Sequence, residues 1–456
     1  MKATRVTRQS RDTRERWRGR SGWTGRGKLT ALVAVASLAV STVGGVAGTK
    51  AAASGLGSMS GGFAATSSSS SASGSPIHVG EIMPMTGKEA FVGEWFDHGV
   101  RAGIYAVNHG GGVLGGHPFV TRLEDTAGDP VDAVTALRTD LLFHPKVMFG
   151  PSSLEIEGVI REFDPLKLVD MMEGGTTQLD YMRYPYVFRV FPSDSELLSG
   201  EAYYGYHVKG CRSAALAYTS GSNAQAEVGP ITAAFKKLGG RIASSVTLVA
   251  QQSSYLTEVA KLFSAKPQCV FFHMDPQTAS TFFANVRQLG HMNVPFITGD
   301  TGAATQMGKA IGLSYASKWM TGMGAPAAYA PAEKAYLDAY DGVWHTRTSL
   351  PAAPAMYDAV VIAALAMDAA KSTTPSVWVH YIEKVSNPPG IECFTYPSCL
   401  ALLEHGKKIN YQGASGNENF NQYHNVFTSF EVQQFSASGT LRNVFLEKAS
   451  VLAKLY

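Results

Sequence analysis

The sequence predicts an α/β protein made of two doubly wound parallel-sheet lobes. Three observations carry this. Short apolar runs of strand length alternate with segments of helical periodicity. The alternation occurs twice, over 77–191 and again over 213–297. Turns rich in Gly, Ser and Thr follow the carboxyl ends of the strand-like runs.

The elements follow in order. Residues 77–83 form an apolar strand, and Phe96, Val100, Ile104 and Val107 recur at helical spacing through 94–108. Residues 120–124 read as strand and 131–142 as helix. Strands follow at 147–150, 168–172 and 186–191, with a helix at 154–163. After Ser193 the pattern restarts with a strand at 213–218 and a helix at 224–238, closed by Gly239-Gly240. Then come strand 242–249, helix 255–263, strand 269–272, helix 276–289 and strand 295–297. Strands separated by helices pair in parallel, and helices cover both faces. Two such lobes bind a ligand in the cleft between them, at the carboxyl ends of their strands.

The turns at those ends are Pro84-Met85-Thr86-Gly87, Gly150-Pro151-Ser152-Ser153, Glu173-Gly174-Gly175-Thr176-Thr177, Thr219-Ser220-Gly221-Ser222 and Thr298-Gly299-Asp300-Thr301-Gly302. They expose backbone N–H groups and hydroxyls. The glycine-rich stretch 110–116 follows a helix instead of a strand, and no Gly-Lys-Ser/Thr comes after it. It reads as a helix stop and turn, not a phosphate loop. Neither Ser152 nor Ser153 centres a Gly-x-Ser-x-Gly elbow, so a catalytic serine is not supported. Two readings remain for these serines: capping the helix that follows, or holding a small ligand.

The chain has 456 residues, 45% apolar and 16% charged, enough for one large or two medium domains. Its net charge of +3 is set by the N-terminus. Ten Lys/Arg crowd residues 1–28, an uncharged run follows over 29–49, and Ala51-Ala52-Ala53 comes next. This is the pattern of a secretory signal peptide spanning 1–53; the alternative is a retained membrane anchor. Loss of 1–53 removes eleven Lys/Arg and two acids, leaving 28 basic and 34 acidic residues and a net charge of −6. An acidic exported protein is a poor match for nucleic acid. No Cys follows the apolar run, so there is no thiol to acylate. Residues 54–76 are nearly all Ser, Gly and Ala and read as a flexible linker.

The four cysteines are 211, 269, 393 and 399, and export permits disulfides. None has metal-binding spacing, so neither a metal nor a cofactor is expected. Cys393 and Cys399 enclose five residues and suit a small surface staple. Cys211 and Cys269 precede the first and third strands of the second lobe, which are neighbours in the doubly wound order 2-1-3-4-5. A disulfide between them is expected, with two buried thiols as the alternative.

The chain resembles the branched-chain amino-acid (Leu/Ile/Val) binding proteins of ABC importers, which have the type I periplasmic-binding-protein fold. The resemblance runs over about 77–445 through Met85-Thr86-Gly87, Glu124-Asp125-Thr126, Gly150-Pro151-Ser152-Ser153, Gly174-Gly175-Thr176-Thr177, Val187-Phe188-Arg189, Tyr357-Asp358-Ala359 and Asn410-Tyr411-Gln412-Gly413-Ala414-Ser415-Gly416. It implies a multi-crossover hinge, with lobe 1 from 77–194 plus 324–425 and lobe 2 from 195–323 plus 426–456. It implies an extracytoplasmic, monomeric solute-binding protein, not an enzyme, that delivers its solute to a membrane permease. A ligand sensor of the same fold is the alternative. Ser152 or Ser153, with Gly175 and Thr176, would grip a ligand carboxylate, and Phe91 would cover the ligand. In the second lobe, Asn223 and the segment His273-Met274-Asp275 stand where aromatics are usual, and Asp300 would pair with an ammonium. The expected solute is a small amino-acid-like or amide/carboxylate one; the missing aromatics argue against a branched-chain amino acid and leave an amide, a urea-like solute or an aromatic acid open.

Overall fold

The computed structural model describes residues 72–455 apart from 88, 325–329 and 453. The expected signal segment 1–53 and the linker up to residue 71 lie outside the described residues. The last residues of that linker are tied down: Ala72 N–H donates to Asn108 O (3.2 Å) and Gly74 N–H to Gly116 O (2.7 Å).

The first sheet contains β1 (Ile77–Met83), β2 (Phe119–Asp125), β3 (Met148–Phe149), β4 (Asp170–Met172) and β5 (Val187–Arg189). All pairings are parallel, in the order β2-β1-β3-β4-β5. The strands inside the sheet are buried because helices cover both faces, whereas the edge strand β2 is charged and mostly half-exposed. On one face lies the helix Ala90–His109, which buries Trp95, Phe96, Val100 and Val107. On the other lies Pro130–Leu141, whose Asp129 cap accepts from the N–H groups of Val131 (2.7 Å) and Asp132 (3.3 Å).

A later helix, Ala353–Ala370, packs against Ala90–His109 and beneath β3 and β4. The two helices approach closely because Gly99 and Gly103 lie at the contact. A Cβ on Gly99 would fall 2.2 Å from Ala353 O, and one on Gly103 would fall 2.7 Å from Val360 Cβ. Asp358, buried in the middle of the later helix, accepts from Tyr411 OH (2.7 Å), Ala414 N–H (2.8 Å) and Ser415 N–H (2.6 Å). That single carboxylate fastens the segment Tyr411-Gln412-Gly413-Ala414-Ser415 to the first lobe.

The second sheet begins with β6 (Ser213–Thr219), β7 (Arg241–Leu248), β8 (Cys269–His273), β9 (Phe296–Thr298) and β10 (Met320–Gly324). After β10 the chain returns to the first lobe through the helices Ala330–Trp344 and Ala353–Ala370, then forms a small parallel ladder of β11 (Ile391–Cys393) and β12 (Ile409–Tyr411). It crosses back once more to add β13 (Phe430–Phe435) and β14 (Leu441–Glu447), both antiparallel to their neighbours. The order is β14-β13-β10-β9-β8-β6-β7, in which the five parallel strands follow the expected 2-1-3-4-5.

Both expected disulfides are present. Cys211–Cys269 joins the amino ends of β6 and β8, with Cα atoms 6.1 Å apart, and Cys393–Cys399 joins β11 to the helix Tyr396–Glu404, with Cα atoms 5.4 Å apart.

One expected helix is different. The stretch 154–163 contains only the turn Ile156–Val159, and a second turn, Phe163–Leu166, follows it. Gly158 is pressed against the neighbouring helix, since a Cβ there would lie 2.1 Å from Pro130 O. Lys167 stops the second turn at φ 50°.

Candidate ligand-binding cleft

The carboxyl ends of β1, β3, β4, β6, β8 and β9 and the start of the helix Asp194–Tyr203 converge on one cavity, about 70 Å³ measured to the centres of water-sized spheres. From the first lobe it is lined by Glu89, Ser152, Ser153, Glu173 and Gly175. From the second come Asn223, Glu227, His273, Asp300 and Thr301. Asp194, Leu197 and Glu201 stand on one face of the crossover helix, while Val92, Phe96, Leu154 and Phe191 supply apolar wall.

The serine loop is held from behind. Ser152 Oγ donates to the buried carboxylate of Glu155, which also accepts from Thr126 Oγ1 (2.5 Å). Ser153 Oγ accepts the Thr176 N–H (3.0 Å) and so joins the β3 and β4 turns. The β4 turn is fixed by Arg189, whose side chain is 1% exposed. Its Nη1 donates to the carbonyls of Gly174 (3.4 Å), Gly175 (3.3 Å) and Thr176 (3.1 Å). Its Nη2 pairs with Asp180 (2.9 Å), and its Nε donates to Asn425 (3.0 Å) on the last crossover. This buried cation sits behind the loop, and each of its three nitrogens is engaged there.

Across the cleft, His273 Nδ1 lies 2.8 Å from Glu227. Burial opposes the imidazolium, but Glu227 outweighs it and lifts His273 to about 10. Burial also pushes Glu89 up to about 7, against the pull of His273 and with help from Asp300. Glu173, Asp194 and Glu201 are raised well above the carboxylate range, by burial first and then by one another and by the neighbouring Asp300 and Glu227. Asp300 is raised by burial, although it accepts the Thr301 N–H at 2.7 Å. Crowded carboxyls in a poorly solvated space cannot all ionise, so some stay protonated near neutrality.

The structure brings together five of the residues that the sequence singled out: Ser152, Ser153, Gly175, Asn223 and Asp300. Three others are not on the cavity wall. Phe91 packs edge-on to Trp95 at 5.1 Å, and the helix register puts Val92 and Phe96 on the cavity side instead. Thr176 is buried and caps the turn Thr177–Leu179. Asp275 caps the helix Pro276–Gln288 by accepting from Gln277 and Thr278 N–H, both at 3.0 Å.

Most of the acids escaped sequence reasoning. A signal existed for two of them. Asp194 and Glu201 are seven residues apart on one helical face and flank the buried Leu197.

The family model for periplasmic binding proteins matches residues 76–385. No curated protein matches the chain by sequence. Solved structures match over most of its length. The leucine-binding protein of Thermotoga maritima is 17% identical with a TM-score of 0.69, over 82% of this chain and 99% of that one. A branched-chain amino acid transporter substrate-binding protein of Streptococcus pneumoniae, in complex with isoleucine, is 16% identical with a TM-score of 0.67, over 82% and 99%. A solute-binding protein of an ABC transporter from Rhodopseudomonas palustris, in complex with p-hydroxybenzoic acid, is 14% identical with a TM-score of 0.66, over 82% and 97%. With its family matched over more than half its length and its two sheets folded as in these structures, the chain belongs to the periplasmic binding protein family.

Proposed function

We propose that the protein is the extracytoplasmic solute-binding component of an ABC importer. It captures one small polar organic solute between its lobes, closes on it and presents it to a membrane permease. Residues 1–53 direct export, 54–71 tether the folded body, and the body works as a monomer. The observation that supports this reading is a cavity walled by polar groups from both sheets at the carboxyl ends of their strands. A solute lodged there touches both lobes only when they are closed, so its binding energy favours the closed state.

The test is small-angle scattering of the purified chain with and without solutes drawn from amino acids, amines, amides and carboxylates, screened first by thermal shift. A solute that raises the melting temperature and shrinks the radius of gyration, and is recovered unchanged, supports the reading. A solute that is consumed, or a panel in which nothing binds, refutes it.

A further inference from the structure

The cavity wall is unusually one-sided. Six carboxyl groups line it, Glu89 and Glu173 from the first lobe and Asp194, Glu201, Glu227 and Asp300 from the crossover helix and second lobe, yet among the described residues no Lys or Arg does. Among the described residues His273 is the one cationic group on the wall, and it is committed to Glu227 at 2.8 Å. Arg189 is turned away behind the β4 loop. Glu173, Glu201 and Glu227 are 5%, 2% and 5% exposed, so solvent does little to screen them.

A second, independent observation points to an occupant. Glu201 Oε2 is buried at the cavity and has no hydrogen-bond partner among the described residues, and Asn223 Oδ1 is in the same condition. Buried polar atoms are normally satisfied; Asn223 Oδ1 is an acceptor, and Glu201 Oε2 is one when its carboxyl is ionised. What they lack is a donor.

We infer that the solute is a compact organic cation, an aliphatic or arylalkyl amine carrying one or two ammonium groups on saturated carbon and no net negative charge. The inference rests on the solute-binding reading and names the class of solute. Ammonium groups supply the donors that Glu201 and Asn223 lack, and their charge offsets the carboxyl wall. The carbon stem lies against Val92, Phe96, Leu154 and Phe191. A carboxylate fits poorly here. It would add a negative charge to a wall whose six carboxyl groups already cannot all ionise, and the Ser152 hydroxyl already donates to Glu155.

Binding a cation makes the wall ionise. Glu89 faces His273, Asp300, Glu155 and Asp275, and Glu173 faces Asp194 and Asp300. An ammonium placed among these groups releases protons from them. Affinity for an amine therefore rises with pH between about 6 and 8, below the range where an aliphatic ammonium loses its own proton.

The test is calorimetric titration of the exported chain with 1,4-diaminobutane, butylamine, leucine, 4-hydroxybenzoate and urea, at pH 6 and pH 8, in two buffers of different ionisation heat. At least one of the two amines binds more tightly than the other three probes, at least tenfold more tightly at pH 8 than at pH 6, and with proton release. Glu201→Gln weakens that amine at least tenfold, while its ligand-free melting temperature stays level or rises, which shows that the variant is folded. Preferred binding of leucine or 4-hydroxybenzoate with lobe closure overturns the cation assignment and leaves the solute-binding reading standing. Preferred binding of urea, or amine binding that is independent of pH, also overturns it. Absence of binding and closure with every probe overturns both.

Discussion

Replacing Arg189 with Met removes the guanidinium that ties the β4 turn to the last crossover. Five hydrogen bonds are lost, to Asn425, Gly174, Gly175, Thr176 and Asp180, at 2.9–3.4 Å. Asp180 is 5% exposed, and its remaining side-chain donors are the hydroxyls of Ser193 and Ser195. Breaking a buried ion pair by deleting one partner costs about 3–5 kcal/mol, because the other charge stays buried without compensation. The three carbonyls add to that unless water reaches them. Methionine fills much of the vacated volume, so the loss is electrostatic more than steric. Equilibrium urea unfolding, followed by tryptophan fluorescence, should show Arg189→Met less stable by about 3–5 kcal/mol. Asp180→Asn in the same background should cost less than it does in the native chain, because the charge it removes is then unpaired. A loss below about 1 kcal/mol, or strict additivity of the two substitutions, would refute the clamp.

The remaining predictions concern the scaffold and its titration. Gly99→Ala drives a methyl into the carbonyl of Ala353, 2.2 Å away, and should destabilise by about 1–3 kcal/mol in the same unfolding assay. Cys211→Ser with Cys269→Ser opens a loop of 58 residues and should cost about 4 kcal/mol, whereas opening the 6-residue loop of Cys393–Cys399 should cost about 2 kcal/mol. Non-reducing peptide mapping of the native chain should show only these two linkages. Without ligand, stability should fall as pH rises. Burial raises Glu89 to about 7, Glu447 to about 8 and Glu196 to about 9, so the folded state holds protons that the unfolded state has released. That stabilisation is complete below pH 4.5 and is lost as pH climbs through 7 to 9, so the melting temperature should be higher at pH 5.5 than at pH 8.

Strands such as Ile77–Met83 and Cys269–His273 were legible because a strand buried on both faces is a continuous apolar run. The pairing of Cys211 with Cys269 was legible for a related reason: the doubly wound order makes neighbours of the first and third strands of a lobe. The cavity acids were not. Glu89, Glu173, Glu201 and Glu227 come from separate elements, and only the convergence of those elements makes them a group. Residue type alone could not choose between Phe91 and Phe96, which differ by helical register. Arg189 looked like one more position in an apolar strand, since its partner Asn425 lies 236 residues away. The strand Leu441–Glu447 was missed because its mostly exposed side chains lack the apolar run of a covered strand.

The way the chain shuttles between its sheets governs when each can assemble. The part of the first sheet at β3 and β4 lacks its covering helix until Ala353–Ala370 arrives, and β10 keeps an open edge until β13 pairs onto it. Neither lobe is a contiguous stretch that folds as it leaves the ribosome. A growing chain therefore carries uncovered strands through most of its synthesis, and their edges are templates for pairing with other chains. Contacts this distant in sequence also form slowly, because the intervening chain must close first. The delay prolongs exposure to aggregation. It also keeps the polypeptide threadable until its last strands have been made, which is the condition a protein must meet to cross a membrane before it folds.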